Sequence, residues 1–415
     1  VSGAEARPRV LKFGGSSVAE AVRLELAAGI VREAARGSGR VWVVVSALAG
    51  VTDVLQRAAR RGAGSRRATA ELARRHRAVL VALGARRRWR GVARRWLERL
   101  PSRLAAASGG NPWALEWVLA VGERLAAPAM AAALERRGLG VALVDATRVV
   151  AVRGGPGRAE VDLPATARRV ARVDRTLPPG VVAVVPGFFG GDARGRPVTL
   201  GRGASDLSAA VLGAVLGAAV EIRSDVPGVL SAPPRWVPDA GPVERLGWRE
   251  AAWLAELGAR VLHREAARCL ERRRVPAVVA STLEPAREGT RIHGGGASTP
   301  VLAGCRGWAA VARGVPGALE VRPLMPVAGP DALRAGPGPE PVAVVGVLGV
   351  PRDGVAAAVR RLRLPVLGEV PALAGPGVVL AVREVWLPRT VAALHGALVS
   401  GGGGRAGWAV SGGGP

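Results

Sequence analysis

Arg9-Val10-Leu11-Lys12-Phe13-Gly14-Gly15-Ser16-Ser17 sets a short apolar run, a glycine pair and a helix start end to end. Val10 to Phe13 predicts a buried strand, and the two glycines let backbone N–H groups come close to a bound anion. A helix beginning around Ser17 would point its positive end at the same place. Lys12 is the single lysine among 415 residues that carry 59 basic side chains, so every other one is arginine. An ammonium is a compact point charge on a flexible stem and a guanidinium is a rigid fork, so the two do not exchange freely where one oxygen must be neutralised. The stretch is neither a P-loop, because GxxxxGK[ST] is absent, nor a GxGxxG fingerprint.

Outward from this segment, apolar strand candidates alternate with longer helical stretches. Strands are expected at Val10 to Phe13, Val41 to Ser46, Val141 to Val144, Val181 to Pro186, Val220 to Arg223 and Val275 to Ser281. Helices are expected near residues 17 to 36, 50 to 61, 68 to 83, 112 to 136, 204 to 217 and 249 to 273. This alternation predicts an α/β fold with a mostly parallel central sheet between helices. Ser17 with Glu20 reads as a capping box, Asn111-Pro112 as a cap with a first-turn proline, and Ser205 as the start of an alanine-rich helix.

The texture changes at Gly294-Gly295-Gly296. Residues 8–293 read as one domain, and the glycine- and proline-rich stretch 294–339 as a linker or a reduced small domain. Residues 340–399 then form a small α/β module, with strands at 341–347 and 378–382 and helices at 353–362 and 388–398. The glycine-rich tail 400–415 is expected to be disordered, since little in it offsets the entropy of ordering its backbone.

Hydrophobic residues make up 49% of the chain and aromatics 3%, with no tyrosine, so alanine, valine and leucine must fill the core. No clean membrane-spanning run and no signal-peptide pattern are visible, which points to a soluble cytoplasmic protein. The formal charge of +27 invites a polyanion partner. The arginines, however, are spread along amphipathic helices, densest at Arg86, Arg87, Arg88 and Arg90, without zinc-finger spacing or an RNA-binding aromatic pattern. A solvated basic surface is therefore expected rather than specific nucleic-acid recognition. Cys269, Cys305 and the four histidines form no metal or redox pattern.

A second anion-suited turn is Thr199-Leu200-Gly201-Arg202-Gly203-Ala204-Ser205-Asp206. Small residues, a hydroxyl and a helix start converge there, and Arg202 offers a bidentate fork for a carboxylate or phosphate. Asp206 falls in a first helical turn, where the dipole already favours an anion, and Asp225 enters a turn after a strand. Glu123 lies within a largely apolar helix, where an ammonium partner would offset its desolvation. Ser46 ends an apolar strand and Thr52 follows shortly after, in the zone where α/β sheets contact ligands. Taken singly, these residues read equally well as turn, cap or helix-surface positions.

Together the motifs resemble the aspartokinase branch of the amino-acid kinases over roughly residues 8 to 293. Lys12-Phe13-Gly14-Gly15-Ser16-Ser17-Val18 and Leu200-Gly201-Arg202-Gly203-Ala204-Ser205-Asp206 carry most of the resemblance. Gly122-Glu123, Ser224-Asp225-Val226-Pro227-Gly228 and Gly258-Ala259-Arg260-Val261-Leu262-His263 follow in the family's order. The module at 340–399 resembles one of the family's paired ACT regulatory domains, and 294–339 looks too short and irregular to be an intact partner for it.

The resemblance implies phosphoryl transfer from Mg2+-bound ATP to the side-chain carboxylate of L-aspartate, the first step toward lysine, threonine and methionine. It also implies a homodimer formed through the ACT-like region. Lys12 and Asp206 would be catalytic. Gly14, Gly15, Ser16, Ser224, Asp225, Arg235 and Arg260 would hold the nucleotide, and Ser46, Thr52, Glu123, Arg202 and Ser205 the aspartate. Two departures stand out: Arg260 occupies a position where the family uses lysine, and Pro233 one where it uses aspartate. A kinase of another small acid, or a catalytically weak regulatory homologue, would share the same motifs.

Overall fold

The computed structural model describes residues 7–37, 39–61, 65–257, 259, 262–297, 299–312, 319–323, 341–370 and 375–399. Arg260 and the tail from 400 onward fall outside them. The chain divides into two compact units, Val1–Val229 with Val261–Gly294, and Leu230–Arg260 with Gly295–Pro415. The stretch 230–260, expected within the first domain, thus groups with the second unit.

The first unit opens with β1 (Arg9–Phe13), a 3-10 turn at Ser16–Val18, α1 (Ala21–Arg36), β2 (Val41–Val45), α2 (Val51–Arg61) and α3 (Ser65–Ala82). It continues with α4 (Arg87–Ser108), α5 (Pro112–Arg136), β3 (Val141–Leu143), the small ribbon β4 (Val152–Arg153) and β5 (Glu160–Val161), and α6 (Leu163–Asp174). Next come β6 (Val182–Pro186), the hairpin β7 (Phe189–Gly191) and β8 (Pro197–Thr199), α7 (Ser205–Leu216) and β9 (Ala219–Ser224). After β10 (Arg245–Gly247) and α8 (Trp248–Glu256) of the second unit, the chain returns with α9 (Arg264–Arg273), β11 (Ala277–Ser281) and β12 (Thr290–His293).

Within the first unit the strand order is β12-β11-β9-β1-β2-β6-β3, parallel except for β11 with β12. The valine-rich β2 is buried at all five positions, as a parallel strand covered on both faces requires. From β1 the chain winds outward through β2 and later returns to β9 on the other side, so the topology switches direction at β1. Ligand crevices of open α/β sheets form at the carboxyl ends of strands at such a point, and Lys12 sits one residue before the end of β1.

Helix α5 packs through Val118, Val121, Leu125 and Met130 into the core that also takes α1, β2 and α4. Its start is capped as the sequence predicts, the Asn111 side chain accepting from the Ala114 N–H at 3.1 Å. Among the described residues α5 is long and apolar enough to cross a membrane, yet it is almost wholly enclosed by the fold.

Several sequence expectations change. The Ser17/Glu20 capping box does not form, because α1 begins at Ala21 and Glu20 caps it without a side-chain bond. Ser17 is buried, its hydroxyl accepting from Thr282 Oγ1 at 2.8 Å and donating to the Arg223 carbonyl at 3.4 Å, while Glu20 pairs with Arg23. The single helix expected at 249–273 is two, α8 and α9. Helices α4 and α6 were not expected. Both are arginine-rich with narrow apolar stripes, and α4 carries Pro101 in its interior.

In the second unit β13 (Val301–Ala312), β14 (Leu319–Pro323), β15 (Pro341–Leu348), β16 (Val366–Glu369) and β17 (Gly377–Arg383) form an antiparallel sheet, with α10 (Arg352–Leu362) and α11 (Leu387–Leu398). Its order is β14-β13-β15-β17-β16, so the described part of the irregular stretch 294–339 supplies two strands. Val345, Val347, Val355, Leu387, Val391 and Leu394 form its core with Ala232 and Val237. Trp253 of α8 seats against Gly346, Gly375 and Gly377; a Cβ on Gly375 or Gly377 would collide with the indole, and one on Gly346 with Leu257.

Candidate functional site

The carboxyl ends of β1, β2 and β9 bring the two anion-suited turns together. Lys12, buried in β1 between Val44 of β2 and Ile222 of β9, extends Nζ to within 2.6 Å of Asp206 Oδ1 in the first turn of α7. Both side chains are about nine-tenths buried, at 10% and 12% exposure. The Asp206 Oδ2 accepts the His263 N–H at 3.1 Å. A buried lysine and a buried aspartate are each costly alone, and here each supplies the counter-charge of the other.

The first turn is built by close approach. Gly14 donates its N–H to the Arg223 carbonyl at 2.9 Å, and the Ala49 N–H bonds the Gly15 carbonyl at 3.2 Å. A Cβ on Gly15 would stand 2.9 Å from the Ala47 carbonyl oxygen, so only glycine fits between β1 and the loop after β2. A Cβ on Gly14 would stand 3.5 Å from Lys12 Nζ and about as far from the Arg223 carbonyl, filling the space beside the ammonium.

The second turn follows the β7–β8 hairpin. Gly201 and Gly203 have φ of 100° and 75°, a backbone that L side chains rarely adopt. The turn is pinned at its entry by two bonds. The Thr199 N–H reaches Glu116 Oε2 at 2.5 Å, and the Leu200 N–H reaches the carbonyl of Phe188, itself a non-glycine residue at φ 76°. At its exit stands His263; burial holds this imidazole below its usual pKa although the charge of Asp206 opposes the shift.

Glu123 comes from α5, two turns after Glu116. It is 3% exposed, and its Oε1 accepts the Ala47 N–H at 3.2 Å. Oε2 is sealed from solvent and has no hydrogen-bond partner. Burial pushes this carboxyl up to about 8, opposed only by backbone N–H bonds. Its neighbour Arg124 forks onto Asp145 at 2.8 and 3.1 Å and lies between Trp96 and Phe189. For Asp145 burial acts upward, but the Arg124 guanidinium and the Thr147 bonds outweigh it and hold the carboxyl below its ordinary range.

The remaining sequence-predicted residues are placed as follows. Ser46 is half-buried after β2, and Thr52 half-buried in the first turn of α2. Ser205 is buried at the start of α7 beside Gly187. Arg202 is exposed and turns to α2, 2.5 Å from Gln56 Oε1 and 3.7 Å from Asp53 Oδ1. Ser16 is half-buried in the 3-10 turn. The Ser224 Cβ lies 4.0 Å from the Cβ position of Gly14, and Asp225 is exposed in the following turn. Arg235 belongs to the second unit, where it stacks on Trp236 at 4.2 Å. Glu116 and Phe188 carried no signal in the sequence, because each acts through a backbone group far along the chain. His263 stood within a quoted motif but without a role.

The sequence profile of the amino acid kinase family matches residues 7–281. The lysine-sensitive aspartokinase 3 of Escherichia coli is 33% identical over 290 residues, 68% of this chain and 63% of that protein. An aspartokinase of Chlamydia muridarum is 31% identical over 290 residues, 69% of this chain and 63% of its own length. The chain thus spans under two thirds of the length of these relatives. The crystal structure of E. coli aspartokinase III in complex with aspartate and ADP superposes with a TM-score of 0.78 at 24% identity, covering 94% of this chain and 99% of that one. With the profile spanning most of the first unit and both glycine turns, this chain belongs to the amino acid kinase family.

Proposed function

We propose that the protein is an aspartokinase, transferring the terminal phosphoryl group of ATP to the side-chain carboxylate of L-aspartate to give 4-phospho-L-aspartate. The observation that carries this reading is a largely buried lysine–aspartate pair and a sealed carboxyl with an unpartnered oxygen, Glu123, beside the carboxyl ends of adjacent parallel strands. The relatives named aspartokinase, and the E. coli enzyme crystallised with aspartate and ADP, support it.

Phosphoryl transfer to a carboxylate needs two anions held in line while charge on the transferring group is neutralised. Lys12 stands where it would take that charge, and the glycine space beside Nζ fits a phosphate oxygen. Gly14, Gly15 and Ser16 would cradle the same group, with Ser224 and Asp225 on the nucleotide side. Mg2+ accompanying the nucleotide would supply further neutralisation, and Asp206 and Asp225 would be the carboxylates to hold it. Asp206 also holds the Lys12 side chain in place through the 2.6 Å pair. Glu123 would receive the substrate ammonium, Arg202 its α-carboxylate after leaving α2, and Ser46, Thr52 and Ser205 would supply hydroxyls. The nucleotide roles of Arg235 and Arg260 rest on family resemblance alone.

The test is an acceptor screen. Protein incubated with Mg-ATP and L-aspartate should yield an acyl phosphate trapped by hydroxylamine; a trapped product only with another small acid, or none at all, would overturn the assignment. We take the enzyme to be a cytoplasmic homodimer joined through its second unit; a monomer mass by light scattering would remove the dimer.

A further inference from the structure

Glu123 differs from the other buried acids around the site in what it meets. Asp206 has Lys12 Nζ, Asp145 has the Arg124 fork, and Glu116 holds the Thr199 N–H. Glu123 takes one N–H through Oε1 and leaves Oε2 enclosed, with Gly122 packed against Ala47, Val51 and Leu55 beside it. The charges on the surrounding elements are engaged elsewhere or point to solvent. On α2, Asp53 turns to Arg202, and on α1 Glu25 pairs with Arg136. On α3, His76 gives Nδ1 to the Leu72 carbonyl, and the α4 arginines are exposed. Strands β2, β3, β6 and β8 carry no ionisable side chain. A lone carboxylate in such a place lacks the solvation it would have in water, so the empty site favours the acid form.

We propose that L-aspartate enters by exchange: its ammonium displaces one proton from Glu123, and by that proton the site tells aminated from amine-free dicarboxylates. The inference rests on the aspartokinase reading. In chemical terms Glu123 –COOH and substrate –NH3+ become –COO⁻ and –NH3+ in contact, and H+ passes to solvent; only the O–H bond breaks. Burial pushes the Glu123 carboxyl up to about 8, so below that pH the proton must be expelled, and each unit of acidification weakens aspartate binding up to about tenfold. Above it the carboxylate is already bare and affinity levels off. Succinate, with the two carboxylates and no ammonium, binds beside the protonated acid and is repelled once Glu123 ionises. Its affinity therefore falls as pH rises, the slope opposite to that of aspartate.

Calorimetric titration of the full chain with L-aspartate at pH 6.5, in buffers of differing ionisation enthalpy, counts the protons. About one proton released per aspartate is expected, and close to none in Glu123→Gln. In parallel, aspartate KM should fall and the succinate inhibition constant should rise between pH 6.5 and 8.5. Aspartate that binds or turns over with no buffer dependence, or succinate and aspartate running with the same slope, overturns the exchange and leaves the kinase assignment standing. No aspartate binding and no acyl phosphate overturns both. The buffer and succinate comparisons use the unsubstituted chain, so they decide the matter even if Glu123→Gln does not fold.

Discussion

The two turns that meet at Lys12 and Asp206 use glycine for different physical reasons. In the first, Gly14 and Gly15 keep ordinary backbone angles, and Gly15 must be small because a Cβ there would press on the Ala47 carbonyl. In the second, Gly201 has open space around it and is glycine because its φ is 100°. One turn is limited by volume and the other by torsion. The pattern of small residues in the sequence looks alike in both, so only the folded structure separates them.

Substitutions can break this contrast. Removing the charge that both turns share should have the largest effect: Lys12→Ala is expected to lower kcat by about 10²–10³-fold, with nucleotide binding largely kept. Lys12→Arg should restore little of it, since a rigid fork cannot take the place of a point charge in a 2.6 Å pair; steady-state kinetics checks both. Next comes Gly15→Ala, which must push the β1 and β2 ends apart and should cost about 1–3 kcal/mol by urea denaturation. Gly201→Ala meets no atom and should cost only the torsional strain of about 1–2 kcal/mol. A Gly15→Ala protein as stable as the parent would end the volume argument for the first turn, and an unperturbed Gly201→Ala would end the torsion argument for the second. The smallest effect belongs to the tether of the second turn to α2. Asp53→Asn should move stability by under about 0.5 kcal/mol, because the Arg202 pair is solvent-exposed, while leaving kcat nearly unchanged.

Local patterns made much of the site legible from sequence. Lys12, the glycines, Arg202 and Asp206 lie in two contiguous runs whose residue types already state their chemistry, and the valine strands state the parallel sheet. What escaped were relations across the chain. Glu116 reaches a backbone N–H 83 residues away, and Ser17 is taken from its expected cap by Thr282, 265 residues on. Helices α4 and α6 escaped because arginine dilutes their apolar stripe. Glu123 could be suspected from its apolar helix, but its unpartnered oxygen depends on what α2 and the loop after β2 fail to offer.

Helix α5 also has a metrical consequence. Glu116 holds the loop that leads to Arg202, and Glu123 holds the loop after β2; both do so from one rigid rod, seven residues apart. At about 1.5 Å and 100° per residue the two anchors sit roughly 10.5 Å apart and nearly in line. Inserting or deleting a single residue between them would swing one carboxylate about a quarter-turn away from its loop. The interval 116–123 therefore tolerates changes of side chain far better than changes of length, and lineages carrying this pair should keep its count even where its letters drift.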